Sequence, residues 1–246
     1  MICRMCRAGK YVLFAGALAV GGLIAANRSE SVTGSGIPGT EDRAIGAVDE
    51  VSLAGTGNLT IVQGNMPALT VTADDNLLAL IETETSGRLL RIRPKSGYSL
   101  NPKTPLTYTL TIPQLEKVTL SGSGTVHAAR FTGEKLSLQL SGSGNVFARD
   151  MEYGELSLSL SGSATAKLSG VAQEAKIRVS GSGDVDAREL RSAVSEVRVS
   201  GSADVRVWAT TTLNARVSGS ADIRYRGEPK IEKRISGSGS VKQIKE

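Results

Sequence analysis

From Leu136 onward the chain alternates apolar and polar residues with a period of two. Leu136, Leu138 and Leu140 alternate with Ser137, Gln139 and Ser141, and the parity runs on through Gly142 and Gly144 to Val146 and Ala148. Leu156, Leu158 and Leu160 repeat it, as do Ile177 and Val179, then Val197 and Val199. A period of two is the strand period, and it sends one set of side chains inward and the other outward. No 3.6-residue stripe competes with it, and the many glycines would cost about 1 kcal/mol each inside helices. The chain is therefore expected to be all-β.

The alternation is itself repeated. Ser-Gly-Ser followed by Gly or Ala starts at Ser121, Ser141, Ser161, Ser180, Ser200, Ser218 and Ser236, at steps of 20, 20, 19, 20, 18 and 18 residues. Such a period describes one coil of a parallel β-helix or one hairpin of a large antiparallel fold. The solenoid is favoured. Near-identical motifs stack in register at about 4.8 Å, and stacking buries a core that a lone coil cannot. The hairpin alternative lacks Asn-Gly or Asp-Gly turns. The expectation is a β-solenoid of about 20 residues per coil, a rod of roughly 30 Å on that spacing. On this parity Gly142 and its equivalents point inward, where the wall bends and has no room for larger side chains.

Before Ser121 the pattern loosens. Val51 to Ile61 is a degenerate first copy, strands are expected at Leu69–Ala73, Leu89–Arg93 and Leu106–Ile112, and Pro94, Pro102 and Pro105 mark a loop. This irregular N-terminal segment is expected to cap the open end, as terminal repeats do. Residues 27–46 are polar and read as a flexible tether, leaving 47–246 as the solenoid domain.

Residues 1–26 differ again. Arg4, Arg7 and Lys10 precede the apolar run Tyr11–Ile24, the layout of a secretory signal. An uncleaved N-terminal anchor is the alternative, and the only membrane contact foreseen. Both readings export the remainder to the periplasm, the outer membrane or the exterior. Cys3 and Cys6 are the only cysteines, so the rest of the chain must hold together without disulfides. The formal net charge of +5 falls to +2 without the leader, which gives no licence for a nucleic-acid partner.

The repeated Ser-Gly-Ser-Gly with flanking Val/Leu alternation, preceded by Ala73-Asp74-Asp75-Asn76-Leu77-Leu78, resembles the bacterial GIN domain family, described as a putative auto-transporter adhesin head domain. The resemblance covers Ala47 to Val241. It implies a β-helical envelope domain and carries no catalytic residues; Ala164, Ala203 and Ala221 depart mildly from its glycine pattern.

Stacking turns the repeat into columns. Two places before each motif stand Thr119, Gln139, Ser159, Arg178, Arg198, Arg216 and Arg234; four places after its first serine stand Thr125, Asn145, Thr165, Asp184, Asp204, Asp222 and Ser240. Charge is confined to the later coils, and the two ladders are expected to relieve each other through crossed pairs. Asp186, Arg206 and Arg224 form the next outward column, with Arg188, Trp208 and Arg226 beyond. Arg206, Trp208, Arg224 and Arg226 with Asp204 and Asp222 make the candidate ligand site: an indole stacks on a sugar while arginines hold its anionic groups. The expected partner is a cell-surface glycan or another envelope protein. The serine ladders are expected to bond along the stack or to the turn backbone.

Enzymatic readings are weaker. Asp184 and Asp186 share an outward strand face, as the paired carboxylates of a polysaccharide-cutting enzyme would, but no nucleophile, base and orienter set can be assembled. His127 is the only histidine. Ser182–Asp186 resembles calcium-binding β-rolls, yet those use a nine-residue repeat. No cofactor or metal is expected. The sequence therefore points to an exported, non-catalytic envelope scaffold or adhesion and binding module. The alternative is a carbohydrate-acting enzyme or anionic-glycan-binding protein built on the later coils.

Overall fold

The structure of the protein is a computed structural model that describes residues 29–244. The leader reading of residues 1–26 lies outside the described residues. The described chain is a β-solenoid of about 6 turns with about 20 residues per coil. Successive copies pair in parallel and in motif register: Leu138 with Leu158, Gly142 with Gly162, Arg198 with Arg216. Parallel ladders exclude the hairpin alternative, whose neighbouring strands would run in opposite directions.

The strand Asn145–Gly162 shows how one coil buries its core. Its inward residues fall in three runs: Val146 and Ala148, then Met151 and Tyr153, then Leu156, Leu158 and Leu160. The alternation slips between runs, and the ladder register shifts between Ala148 and Met151. Asp150, with φ 53°, sits in that first corner. Stacked coils align these runs into an aliphatic core with few aromatics. Tyr153 is buried, so its hydroxyl donates to the Leu115 carbonyl at 2.7 Å, and burial pushes its pKa up.

The motif glycine does not point inward as expected. Gly142 lies at a solvent-facing corner with φ 115°. A Cβ built there would come 2.6 Å from the Gly122 carbonyl oxygen of the coil beneath. That oxygen accepts the Ser143 N–H at 3.0 Å, so the approach is fixed by a ladder of hydrogen bonds. The absence of larger residues in this column therefore reflects backbone conformation and the neighbouring coil, not the core. The inward small position is the fourth of the motif, Gly144 or Ala164, both buried.

The N-terminal segment is a cover, as expected, with a topology the sequence did not suggest. Glu50–Gly55 and Asn58–Gln63 stack on Lys117–Gly122 and Thr125–Ala129, so the degenerate copy is a true coil. The chain then passes to the other side of that coil. Leu89–Pro94 pairs with Glu50–Gly55, and Thr107–Ile112 with Asn58–Gln63, both in parallel. Antiparallel pieces close the end: Ala68–Asp74 against Thr107–Ile112, and Ile81–Ser86 against Leu89–Pro94. Leu77 and Leu78 of the short helix Asp75–Leu78 are buried under it.

The expected tether is largely paired. Glu30–Thr33 runs parallel to Tyr98–Asn101, a strand inside the expected loop, and Pro38–Arg43 runs antiparallel to Ala68–Asp74. Both are polar edge pieces held by ladder bonds to a partner distant in sequence, so their own composition reads as loop. Asp74 latches them. Its buried carboxylate accepts the N–H groups of Gly36 at 2.7 Å, Lys103 at 2.9 Å and Thr104 at 3.2 Å. Burial alone would raise its pKa, but these donors outweigh burial and hold it below its ordinary value.

Candidate functional site: an arginine- and serine-walled groove

The outward residues just before the glycine corner face an open groove of about 740 Å³ that runs along the stack. One wall is the column Thr119, Gln139, Ser159, Arg178, Arg198, Arg216 and Arg234; the other is the serine ladder from Ser121 to Ser236. The two walls are successive outward positions of the same strands, about 7 Å apart along the chain. Between them runs the inward-pointing column represented by Leu140, Leu160, Val179, Val199 and Val217. The backbone polar groups of that column are spent in ladders to the coils above and below. What remains facing the groove is carbon: Cα–H groups, serine Cβ atoms and arginine stems. No aromatic side chain lines it.

The walls carry unspent polar groups. None of the seven serines of the ladder wall makes a side-chain hydrogen bond among the described residues, contrary to their expected use along the stack. The expected relief of the arginines by the aspartate ladder does not occur either. The glycine corner lies between the two ladders, and among the described residues no ion pair joins them. Arg198 pairs with Glu196 on its own strand. Arg216 and Arg234 make no ion pair among the described residues. Neighbouring guanidinium groups at coil spacing repel by about 1 kcal/mol in water, and an anion between them would remove that cost.

The site foreseen from sequence lies on the other side of the corner and is more self-contained. Arg224 approaches Asp204 at 3.5 Å and Asp222 at 3.8 Å. The Ser240 hydroxyl donates to Asp222 at 2.6 Å, the main cause holding that carboxyl below its ordinary pKa. Arg226 lies over the Trp208 ring at 4.5 Å, so one face of the indole already has its cation. Arg206 aligns with Asp186 and Arg224 as foreseen. Arg188 does not align with Trp208. A register shift after Ala187 brings Arg191 there instead.

Asp184 and Asp186 are not equivalent. Arg188 grips Asp186 with one guanidinium edge, Nε donating to Oδ1 at 2.9 Å and Nη2 to Oδ2 at 2.7 Å, and this pairing holds its carboxyl below the ordinary range. That is the opposite of the raised pKa a general acid needs. Asp184 is exposed. His127 stacks on Phe147 of the next coil with centroids 4.9 Å apart, and burial, with help from Arg149, lowers its pKa. Among the described residues no cluster of three or more His, Cys, Asp or Glu could hold a metal ion.

Sequence comparison matches residues 47–229 to the family described as "putative auto-transporter adhesin, head GIN domain". No curated protein matches the chain in sequence. Solved structures are similar over most of the chain. A putative adhesin from Bacteroides fragilis superposes with a TM-score of 0.83 at 26% identity, covering 87% of this chain and 100% of that one. A putative lipid binding protein from Parabacteroides distasonis superposes with a TM-score of 0.75 at 29% identity, covering 88% of this chain and 100% of that one. A putative adhesin from Parabacteroides merdae, at 22% identity and a TM-score of 0.70 over 87% and 99% of the two chains, shares the fold.

Proposed function

The chain belongs to the head GIN domain family, and from that premise we propose that it is an exported, non-catalytic binding module of the cell envelope. Its recognition surface is the groove, and its partner is anionic, carried on a cell-surface glycan or another envelope molecule. The observation that carries this reading is the groove's unspent chemistry: seven free hydroxyls opposite an arginine column, two of whose members lack ion pairs. Structural regularity alone does not call for arginines there, since the same column is Thr119, Gln139 and Ser159 in the earlier coils. The names of the similar structures, adhesins and a lipid binding protein, agree with a binding role.

The test is binding of the full chain to acidic and neutral polysaccharides and to anionic and neutral vesicles. The expected result is preference for the anionic member of each pair, weakened by salt and by the double variant Arg216→Gln/Arg234→Gln. Indifference to charge would remove the groove from the proposal. Turnover of an acidic polysaccharide, abolished by Asp184→Asn or Asp186→Asn, would replace the binding module with an enzyme. Export is tested by fractionation and N-terminal sequencing: a mature start near Asn27 outside the inner membrane is expected, and a soluble cytoplasmic chain retaining Met1 would rule it out.

A further inference from the structure

The groove is not uniform along its length. At the end nearer the N-terminal cover its first wall is neutral: Thr119, Gln139 and Ser159. From there to the open end the same wall is Arg178, Arg198, Arg216 and Arg234. The carbon floor is continuous across both halves. A neutral, carbon-floored half of about 14 Å, three coil steps, therefore leads into a cationic half.

From this asymmetry we infer that the groove binds one anionic single-chain amphiphile lengthwise, its head among Arg198, Arg216 and Arg234 and its hydrocarbon chain along the Thr119–Ser161 half. The inference rests on the anionic-groove reading above and names its ligand class. Guanidinium groups supply charge-assisted bonds to a phosphate or carboxylate head. Ser200, Ser218 and Ser236 face them across the floor with free hydroxyls that donate to the same oxygens. The floor removes hydrocarbon from water without offering it polar groups. An acidic polysaccharide fits less well. It would want charge along the whole groove, and its rings would want aromatic side chains to stack on; neither is present.

The probes are dodecyl phosphate, hexyl phosphate, dodecyl maltoside and polygalacturonate, measured calorimetrically against the full chain below micellar concentrations. Dodecyl phosphate should bind one per chain and at least about tenfold more tightly than hexyl phosphate, since each buried methylene is worth up to about fourfold. Dodecyl maltoside should bind more weakly than dodecyl phosphate. Arg216→Gln/Arg234→Gln should weaken both phosphates about tenfold. Ser161→Asp, a charge on the tail half, should weaken dodecyl phosphate while leaving hexyl phosphate unchanged. All three positions are exposed, and thermal melts will verify that the variants stay folded. Equal affinity for the two chain lengths, no effect of Ser161→Asp, or arginine-dependent capture of polygalacturonate alone overturns the amphiphile and leaves the anionic groove standing. No binding of any anionic probe overturns both.

Discussion

The regular stack from Lys117 onward and the cover built from residues 30–112 are both sheet, yet they are held by different means. In the stack, up to its last coil, one rule recurs: an aliphatic residue above its equivalent, a glycine above a glycine, and a carbonyl that accepts the next coil's serine N–H. In the cover hardly anything recurs. Strands run in both directions, coil order departs from chain order, and a single carboxylate, Asp74, joins two loops. A repeated rule makes each coil depend on its neighbours. A set of unique contacts confines damage to the elements they join. The far end of the stack is different again. Among the described residues nothing covers Lys230–Gly237, where Ile231 and Ile235 are 37% and 40% exposed. Lys233 stands there in the column that is Ala215 and Val197 below it. An inward-pointing charge on an edge strand discourages another strand from adding.

The comparison breaks most visibly at Leu138. Leu138→Asp buries a lone carboxylate in the wall and removes a leucine, an expected loss of about 5 kcal/mol or more. Hydrogen exchange should show protection lost in the neighbouring coils as well. Damage confined to one coil would mean that rungs are independent. Gly142→Val comes next, at about 3 kcal/mol, from a β-branched residue at positive φ and its clash with the Gly122 carbonyl. The neighbouring exposed Ser143→Val should be nearly silent in the same melts. Equal losses would place the size limit elsewhere.

The cover should respond locally and with pH. The folded pKa of Asp74 is depressed, so its contribution is full above the unfolded value of about 4 and is lost as pH falls through the lower folded value. Asp74→Asn should lower the melting temperature at pH 7, and the gap to wild type should close below about pH 4. Exchange should rise at Gly36, Lys103 and Thr104 while the coils after Ser141 stay protected. A pH-independent gap would mean that the carboxylate is not the latch.

Lys233→Leu should change association rather than folding. Sedimentation should show stronger concentration-dependent self-association than wild type, with little change in melting temperature. Equal sedimentation would mean that the charge guards nothing. Smallest of all, Gln139→Asp on the exposed wall should stay within about 0.5 kcal/mol, which fixes the scale for Leu138→Asp one residue away.

The sequence by itself determined the stack. Period-two alternation and a near-constant motif step leave little but a parallel solenoid, because side-chain direction and ladder register are set locally and repeat without change. It also marked where the charge lies. It assigned the serines to the stack, and it foresaw the arginines and aspartates relieving one another. Only the tertiary structure decided those points. Whether two outward columns meet depends on the corner between them, and the turns at Gly181, Gly201 and Gly219 separate the arginines from the aspartates six residues further along the chain. The same holds for Arg191, which a register shift rather than any motif brings to Trp208. It holds too for Pro38–Arg43, polar and without alternation, which becomes a strand through its partner Ala68–Asp74. Local patterning specifies what a residue faces along its own strand; corners, register shifts and long-range partners specify what it meets.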